Sequence, residues 1–591
     1  MDLREKFEAR TCQVNRCKIS ESISEDDFEK LKNELNSKKQ EINRIFKENE
    51  NSWRDHTKRM HPLRKIAKMF NNRNFQSSQA FSKFFEILTR FHQIIPSTSK
   101  SLKSFHLCEG PGHFIAALDL YSKSFWPNFK WEWMANTLDP YFENIKSCDK
   151  FLDDTFIFNH YNQWIRGAEG DGDIFKLSSE YLHNSNLNSQ FDLVTADGSF
   201  YVQNNPGEQE ILVFPLIKKE IDVARTILKP GGTLVLKLFT IFEKDTRNLI
   251  KETSQYFENC IFFKPMCSKP GNSEKYAIFL NYNPDSFNDL ELCDAEILEI
   301  ENKFTSLQIS AISKNIETFG TEKTDLEILE NEVLVNEYLS EIEFYSLKIS
   351  KRSKNLEPCN STPWKQMFGN NLVDRISKIQ NFDATILTYL DSDHLIVEVP
   401  EFCFELGNFE VSNSKIQNHH SLFINPIILH CLENSQQFKY LDIFQNCSKS
   451  SGKSQEFWKS DSELSVALDK LDSMKDITFL LEKIKQENIE KIVFTWLDST
   501  TINLILSRFS ASIFGLFNQL YSNFDFVENQ LIFTGYNSKF APVIEKINKS
   551  TSEIESNLRN FLSLQSLASL HSTIFNFNLA QLQKIKITYR S

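Results

Sequence analysis

A strand, a glycine turn and a helix follow one another from residue 105, and this feature most constrains the fold of the chain. Residues 105–114 read FHLCEGPGHF. Phe105 and Leu107 predict a short strand, Glu109 ends it, and Gly110-Pro111-Gly112 predicts a tight turn before apolar residues at helical spacing. This order predicts the ligand-binding end of an open α/β sheet, where glycines let the backbone approach a ligand closely.

The acidic residue of the turn indicates which class of ligand it accepts. Glu109 suits a ligand that carries an ammonium or hydroxyl groups and is unfavourable beside a pyrophosphate. It therefore favours S-adenosylmethionine, whose methionine end has an ammonium, over a nicotinamide dinucleotide. A buried glycine turn without any ligand is the alternative that this motif leaves open on its own.

The composition of the chain excludes several other classes of protein. At 591 residues the chain exceeds the size of one core, so we expect several domains. The net charge of −12 means that any nucleic acid must bind a local basic patch on an acidic body. No apolar run approaches the roughly 20 residues of a membrane span, and the N-terminus has no apolar signal-peptide core. We therefore expect an intracellular protein of the nucleus, the cytoplasm or both, with no membrane association.

The cysteines are scattered rather than paired. The eleven cysteines form no CxxC pair and have no histidines at ligand spacing, so we expect no metal site. In a reducing compartment they are free thiols, several within apolar runs.

The rhythm of strand and helix patterns divides the chain into four predicted regions. Residues 1–100 form a helical region with a basic patch, and residues 101–285 alternate strands and helices, as in a mostly parallel sheet with helices on both faces. Residues 286–420 form a helical and polar connecting region. Residues 421–591 form a second α/β domain, in which the order strand, helix, strand, strand of Thr233–Asn281 returns and Thr495 falls where Lys237 stands.

The basic patch has two interpretations. Seven cations lie close together in an otherwise acidic chain: Arg54, Lys58, Arg59, Arg64, Lys65, Lys68 and Arg73. They form either a solvated helix face or a surface that contacts phosphates. The sequence leaves both open.

Four ionisable residues stand at positions that suggest chemistry. Asp197 follows a clean apolar strand, and Lys237 lies inside the apolar strand LVLKLF, where a lysine is costly unless it is paired or useful. Glu274 precedes the last strand, and Lys83 interrupts an aromatic helix face. Each has a structural alternative: Lys83 reaches solvent, Asp197 caps a turn, and Glu274 is a surface acid.

These residues resemble the motifs of the RrmJ/FtsJ-type RNA 2′-O-ribose methyltransferases, most closely the eukaryotic cap2-forming subfamily. The Lys-Asp-Lys-Glu tetrad of that family matches Lys83 in QAFSKFFEIL, Asp197 in VTADGSF, Lys237 in LVLKLFTIFE and Glu274 in SKPGNSEKY. The segments HLCEGPGHFIA, WMANTLDPY and NPGEQE also resemble this subfamily. The resemblance covers residues 50–285 closely and the tail loosely.

The resemblance implies a fold and a reaction. The fold is a Rossmann-like methyltransferase sheet with flanking helices, plus a second methyltransferase-like α/β domain that lacks a cofactor site. The reaction is methyl transfer from S-adenosylmethionine to the ribose 2′-OH of the second transcribed nucleotide of capped mRNA, from cap1 to cap2. Lys237 acts as general base, Lys83 lowers its pKa, Asp197 orients it, and Glu274 holds both lysines.

The resemblance also implies a set of cofactor-binding residues. Glu109 meets the ammonium, Gly112 allows close approach of the methionine part, and Asp197 lies near the methyl group. Trp131 either bounds the adenosine side or is a core tryptophan, and Asp173 is a candidate for the adenine edge. Two further residues, Asn136 and Asp139, are candidates for the ribose hydroxyls.

The chain departs from the family pattern at two positions and leaves alternative functions open. His113 follows Gly112 where the family has a small residue, and Lys269 stands where related enzymes often have arginine. The alternatives are methylation of the first cap nucleotide or of another RNA, or an inactive RNA-binding scaffold. A dehydrogenase is a more distant alternative because the full GxGxxG fingerprint is missing. The expected partner is the 5′ end of capped mRNA, and no protein partner is predicted.

Overall fold

The computed structural model describes two compact units. The described residues are mainly 3–14, 24–70, 78–95, 101–126, 130–139, 163–167, 171–199, 208–286, 292–321, 325–349, 439–443, 463–468, 474–496, 501–527, 530–552 and 557–562. The first unit comprises the described residues within Met1–Thr137, Gln163–Ile165 and Asp173–Glu357. The second comprises those within Leu138–Asn162, Arg166–Gly172 and Pro358–Ser591.

An eight-stranded sheet forms the centre of the first unit. Its strands are β1 Thr11–Gln13, β2 Ser101–Leu107, β3 Lys130–Asn136, β4 Trp164–Ile165, β5 Phe191–Ala196, β6 Leu228–Leu238, β7 Phe257–Phe263 and β8 Lys275–Tyr282. Their spatial order is β1-β7-β8-β6-β5-β2-β3-β4. Strands β4, β3, β2, β5 and β6 run parallel, and β8 pairs antiparallel with both β6 and β7. This mixed sheet with flanking helices confirms the predicted fold class.

Helices of the first unit cover the sheet. They are α1 Leu3–Glu8, α2 Glu25–Arg59, α3 Gln79–Arg90, α4 His113–Phe125, α5 Ser179–Asn184, α6 Gln209–Ile227, α7 Lys244–Ser254, α8 Asp294–Glu317 and α9 Asp325–Glu341. A 3-10 helix, Pro62–Phe70, follows α2. Helix α2 is interrupted at Asn49, which has non-helical backbone angles.

The alternation of side chains along β6 explains how the sheet separates its two faces. Leu234, Leu236 and Leu238 enter a core cluster with residues of α2, α6, α7 and α8. Because successive side chains of a strand point to opposite faces, Lys237 lies on the other face. That face carries α3 and α4, which pack through the stacked rings of Phe84 and Phe114 at a centroid distance of 4.4 Å.

Two local features differ from the sequence predictions. The region predicted as helical contains the short strand β1, which pairs antiparallel with β7 and extends the sheet at its edge. Pro230-Gly231-Gly232, predicted as a turn before the strand, lies within β6, and the ladder with β5 shifts register between Phe191 and Leu193. A positive φ of 79° at Gly231 lets the chain take this irregular path without a side-chain clash.

The second unit has its own core and a smaller sheet. Its strands are β9 Leu406–Ser412, β10 Lys439–Asp442, β11 Trp458–Lys459, β12 Glu463–Ala467, β13 Lys491–Thr495, β14 Thr501–Leu504, β15 Tyr521–Val527, β16 Gln530–Tyr536 and β17 Asn557–Leu562. Five of them form a sheet in the order β11-β12-β13-β16-β15. Its helices are α10 Met474–Glu487, α11 Arg508–Leu520 and α12 Ala541–Ser552. Across the part of the chain that the structure describes, no helix combines the length and apolarity needed to cross a membrane.

Candidate active site

The carboxyl ends of β2, β5 and β6 meet at one edge of the first sheet. Glu109 and Asp197 follow β2 and β5, and Lys237 is the last residue but one of β6. Because β8 runs antiparallel to β6, Glu274, which precedes β8, lies at the same edge. Open α/β sheets bind their ligands at this edge.

The four predicted catalytic residues form one connected group there. Lys83 Nζ, on α3, lies 2.6 Å from Glu274 Oε1 and 2.7 Å from Oε2. Lys237 Nζ lies 3.2 Å from Asp197 Oδ1 and donates to the Asp197 backbone carbonyl at 3.3 Å. All four side chains are largely buried. The structure therefore brings together side chains from α3, β6 and two loops.

A tyrosine that the sequence analysis did not select joins the two ion pairs. Tyr276 Oη lies 2.9 Å from both Asp197 Oδ1 and Glu274 Oε1, so its single proton bridges two carboxylates. It stands directly opposite Lys237 in the ladder of β6 and β8. The spacing could have indicated it, because residues two apart on a strand share a face, as Glu274 and Tyr276 do.

A buried lysine holds the loop that carries Glu274. Lys264 is 2% exposed. Its Nζ donates to Asn272 O at 2.7 Å, Asn272 Oδ1 at 2.8 Å and Glu274 O at 2.9 Å. Asn272 Nδ2 then donates to Glu274 Oε2 at 3.2 Å. All three ammonium hydrogens of Lys264 therefore act on one short segment, which fixes both the backbone and the carboxylate of Glu274.

The electrostatics of Lys237 differ from the expectation. We expected a pKa below the ordinary value. Burial does lower the pKa of Lys237, but the carboxylates of Asp197 and Glu274 outweigh burial and raise it above the ordinary value. The charge of Lys83 does not relieve this, because its ammonium is paired with both oxygens of Glu274. These carboxylates therefore favour the ammonium form of Lys237.

Glu274 is strongly held in its ionised form. Burial alone would raise the pKa of this carboxyl, but the cations Lys83 and Lys237 lower it to about 2. Glu274 thus supplies a permanent negative charge beside both lysines, which positions them and opposes loss of their protons.

Glu109 and Gly112 form the part of the site that fits an ammonium-bearing ligand. Glu109 is 4% exposed, and its Oε1 accepts a hydrogen bond from Phe114 N at 2.6 Å at the start of α4. Burial, reinforced by Asp197, raises the pKa of Glu109 well above its ordinary value. Gly112 precedes α4 with a φ of 117°, a conformation that favours glycine. A ligand ammonium would favour ionisation of Glu109, so these residues fit the methionine end of S-adenosylmethionine.

Trp131, another predicted cofactor residue, lies away from this part of the site. Trp131 is the second residue of β3, near the amino end of the strand, and its Nε1 donates to Ser104 Oγ at 2.9 Å. The carboxyl end of β3 lies five residues further, about 16 Å away. The structure does not bring Trp131 to the ligand edge, and its 6% exposure matches the core role that the sequence left open.

Asp173 and the two ribose candidates have their own structural contacts. The carboxylate of Asp173 accepts from Phe175 N at 3.0 Å and caps the 3-10 helix Ile174–Lys176. Asn136 ends β3, and its carbonyl accepts from Glu109 N at 3.0 Å, which places it beside the glycine turn. Asp139 belongs to the second unit and pairs with Arg166 at 3.0 Å. Some residues of the motifs and the basic patch named above lie outside the described residues: 140–141, Phe200, 205–207 and Arg73.

A buried carboxyl supports the loop after Asp197. Glu220, on α6, accepts from Gly198 N at 3.0 Å and is fully buried. Burial raises the pKa of Glu220 to about 8. An uncharged carboxyl thus lies beneath the catalytic loop at neutral pH, and its ionisation would add negative charge near Asp197 and Lys237.

Comparison with known proteins identifies the domain. Residues 76–282 match the family model described as FtsJ-like methyltransferase. The relatives that bear the name cap-specific mRNA (nucleoside-2′-O-)-methyltransferase 2 include the following three proteins. The Danio rerio protein is 37% identical over 281 residues, covering 42% of this chain and 37% of the relative. The Pongo abelii protein is 40% identical over 262 residues, covering 43% and 34%. The Drosophila melanogaster protein is 35% identical over 263 residues, covering 43% and 37%.

The match is confined to one part of each protein. The chain spans only about a third of the length of these relatives. The matched part of this chain contains the glycine turn, the sheet from β2 to β8 and the four residues of the tetrad. Residues 76–282 of this chain therefore form an FtsJ-like methyltransferase domain.

Proposed function

We propose that this chain transfers the methyl group of S-adenosylmethionine to the ribose 2′-OH of the second transcribed nucleotide of capped mRNA. The observation that carries the proposal is the connected group of Lys83, Asp197, Lys237 and Glu274 at the ligand edge. The names of the relatives support the choice of capped mRNA and of the ribose 2′-O position. The choice of the second nucleotide rests on the resemblance of HLCEGPGHFIA, WMANTLDPY and NPGEQE to the cap2-forming subfamily.

The chemistry requires a proton acceptor close to an electrophilic carbon. When bound, S-adenosylmethionine would supply a methyl group on its sulfonium sulfur. The S–CH₃ bond would break to leave a thioether as the ribose oxygen forms the new O–CH₃ bond. Lys237 takes the proton of the 2′-OH. General-base assistance of this kind contributes about 10²–10⁴-fold, and correct positioning contributes more.

The raised pKa of Lys237 sets a condition for this role. The amine is the active form, and the carboxylates of Asp197 and Glu274 favour the protonated form. Positive charge near Asp197 would offset those carboxylates and lower the pKa of Lys237. We infer that the sulfonium of S-adenosylmethionine supplies this charge, which couples proton loss from Lys237 to cofactor binding.

The other residues bind and orient. Glu109 holds the ammonium of the cofactor, Gly112 allows its close approach, and Asp197 fixes Lys237 beside the methyl group. Asp173 remains a candidate for the adenine edge, with its capping contact to Phe175 as a second duty. No metal enters this mechanism. We place the activity in the nucleus, the cytoplasm or both, where capped transcripts occur.

The domain boundaries remain part of the proposal. We assign residues 101–285 to catalysis together with Lys83 of α3. Residues 1–100 otherwise form a flanking helical region, as do residues 286–420, and residues 421–591 form a non-catalytic α/β domain. In the second unit the position that corresponds to Lys237 is occupied by Thr495, which supports the non-catalytic assignment.

A labelled-methyl transfer assay on capped transcripts tests the proposal. Matched transcripts ending in cap0 and in cap1 are incubated with wild-type protein, with Lys237→Met and with the control Lys103→Met. Lys103 is an exposed lysine near the opposite end of β2. We expect label on the second ribose of cap1 RNA, none with Lys237→Met, and an unchanged rate with Lys103→Met.

Other outcomes favour the alternatives. Label on the first ribose of cap0 RNA, or on uncapped RNA alone, assigns a different RNA substrate. Absence of transfer together with failure to bind S-adenosylmethionine, measured by calorimetry on folded protein, leaves an RNA-binding scaffold and overturns the proposed enzyme.

A further inference from the structure

A group of cations lies beside the tetrad, on the side of Lys83. We name it the basic surface: Arg54 and Lys58 at the end of α2, Arg64 in the 3-10 helix Pro62–Phe70, and Lys269 in the loop before Glu274. We propose that the basic surface binds the phosphodiester backbone of the RNA next to the reacting ribose. This inference rests on the proposed function and adds the path of the substrate to it.

Hydrogen bonds tie the segments of the basic surface to the active site. Gln79 Nε2, at the start of α3, donates to Arg64 O at 2.9 Å. Gln79 and Lys83 are four residues apart and therefore lie on one face of the helix. His61 Nε2 lies 3.4 Å from Met266 O, so the segment after α2 also contacts the loop that leads to Lys269. Three separate segments thus converge next to Lys83.

The charges of these cations also act on one another. Burial lowers the pKa of Lys269, and Arg64, Arg54, Lys58 and Lys83 lower it further. At physiological salt, screening limits the interaction between exposed charges to about 8 Å, whereas buried charges are screened less. Holding several cations together costs free energy, and a polyanion along the surface would offset that cost.

The acids near the basic surface leave it available for phosphates. Arg54 pairs with Glu50 and Lys58 with Asp55, each at 2.8 Å on the same helix, but all four side chains are exposed. Exposed pairs of this kind contribute little and exchange easily for another anion. Among the residues that the structure describes, neither Arg64 nor Lys269 is in an ion pair. The net charge is therefore positive on a chain whose total is −12.

The location of the basic surface next to Lys83 favours the RNA backbone as its ligand. It leads from exposed residues of α2 to Lys83, whose ammonium is 2.6 Å from Glu274 within the tetrad. A ribose held at Lys237 has a phosphate on each side, so the backbone next to it can continue along Lys269 and Arg64. The basic surface includes three of the seven cations of the sequence patch, and for Arg54, Lys58 and Arg64 the proposal favours the phosphate-contacting interpretation.

Salt-dependent RNA binding tests the proposal. The triple variant Arg54→Gln, Lys58→Gln, Arg64→Gln removes three charges from exposed positions, where substitutions change stability by only about 0.5 kcal/mol. Affinity for a long capped transcript is measured by fluorescence anisotropy over a range of KCl concentrations. We expect the slope of log K against log salt to fall by about 2 and affinity at 0.1 M salt to fall about 100-fold.

A matched triple variant controls for the loss of charge. Lys103, Lys130 and Lys229 lie near the amino ends of β2, β3 and β6, at the opposite edge of the same sheet, and are exposed. Their replacement by Gln makes the same change in net charge. We expect a slope close to that of wild type. Equal slopes for the two triple variants would overturn the proposal.

Two further arms separate the RNA backbone from other sources. The Arg54/Lys58/Arg64 variant should bind a capped dinucleotide almost as tightly as the wild type does, because the dinucleotide lacks the backbone that the surface holds. An equal loss of affinity for the dinucleotide and for the long transcript would assign the surface to the cap triphosphate. That result would refute the proposal. Failure of the proposed function looks different. Wild-type protein would then bind RNA with a steep salt slope but transfer no methyl group.

Discussion

The main sheets of the two units share part of their strand order but differ in the side chains at the carboxyl ends of their strands. In the first unit β5, β6, β8 and β7 are neighbours in that order, with a parallel pair followed by two antiparallel pairs. In the second unit β12, β13, β16 and β15 repeat the same order and the same directions. The repeat that the sequence predicted from Thr233–Asn281 is therefore present in the fold.

The registers of the two sheets show which side chains differ. Lys237 stands opposite Tyr276 on β8. Ala196 on β5 stands opposite Leu236, and Asp197 is the next residue after Ala196. Thr495 stands opposite Gln530 on β16 and Ala467 on β12. The second sheet therefore has no ammonium, carboxylate or phenol at these positions. The comparison teaches that the topology alone does not produce the chemistry, which depends on a few side chains at one edge.

The largest expected effect comes from exchanging the residues at this shared position. Lys237→Met keeps the length of the side chain but removes the proton acceptor, so we expect methyl transfer to fall by about 10²–10⁴-fold. Thr495→Met changes the corresponding residue of the second unit and should leave the rate unchanged. Rates come from labelled-methyl transfer, and thermal melts verify folding. A rate loss with Thr495→Met would contradict the non-catalytic role of the second sheet.

The pH dependence should reveal the raised pKa of Lys237. Because Asp197 and Glu274 raise this pKa above the ordinary value of 10.5, the neutral amine is the minor form at pH 7. Its fraction grows about tenfold per pH unit below the pKa, so the rate at low substrate concentrations should rise with pH from 6 to 9 with a slope near 1.

Glu220 provides the control for that profile. Its pKa of about 8 means that it becomes negative in the upper part of the range, which opposes proton loss from Lys237. In Glu220→Gln, which keeps the oxygen that accepts from Gly198 N, the rise should be steeper above pH 8. A flat profile in the wild type would show that Lys237 does not act as the base.

Glu274 should contribute stability that depends on pH. Its pKa of about 2 in the folded protein is below its ordinary value of 4.5, so the ionised carboxylate stabilises the fold above about pH 4.5. That contribution, of about 3 kcal/mol, is lost as the pH falls towards 2. We expect Glu274→Gln to lower the free energy of unfolding at pH 7 and to lose this deficit in acid, measured by urea denaturation. A deficit that is the same at pH 7 and pH 3 would refute the assignment.

The smallest effect concerns the lysine that positions Glu274. We expect Lys264→Met to lower kcat by about 10- to 100-fold through a shifted carboxylate. The effect should shrink when Glu274→Gln is already present, because Lys264 acts through Glu274. Lys275→Met is the matched control: this lysine is equally buried but faces the other side of the strand and pairs with Glu301 at 2.5 Å. Its effect should add to that of Glu274→Gln.

Much of the first sheet was predictable from local patterns. The apolar strand predicted before Asp197 is β5, Phe191–Ala196. The aromatic helix face predicted around Lys83 belongs to α3, where Ser78 caps the helix by accepting from Phe81 N. The lysine inside β6 indicated the ligand edge because a buried charge costs free energy unless it is paired. The glycine turn indicated the same edge because it follows a strand and begins a helix.

Other features depended on contacts between distant residues. Strand β1 exists only because β7, about 250 residues later, offers a free edge. Several features arise from side chains that meet only after folding. They are the contacts of Tyr276 with two carboxylates, the three hydrogen bonds of Lys264 and the raised pKa of Lys237. Trp131 illustrates the same limit, since its sequence context did not show whether it lies near the ligand or in the core.

The pairing of β1 has a consequence for anyone who prepares shorter versions of this protein. Arg10 Nη1 donates to Pro265 O, and Lys264 N donates to Arg10 O at 3.0 Å. The segment at the outer edge of the sheet is therefore hydrogen-bonded to the loop that leads to Glu274. Cutting the chain just before α2 would leave every residue of the tetrad in place along the polypeptide. It would nevertheless remove these hydrogen bonds, so we expect Glu274 to be held less firmly in such a fragment.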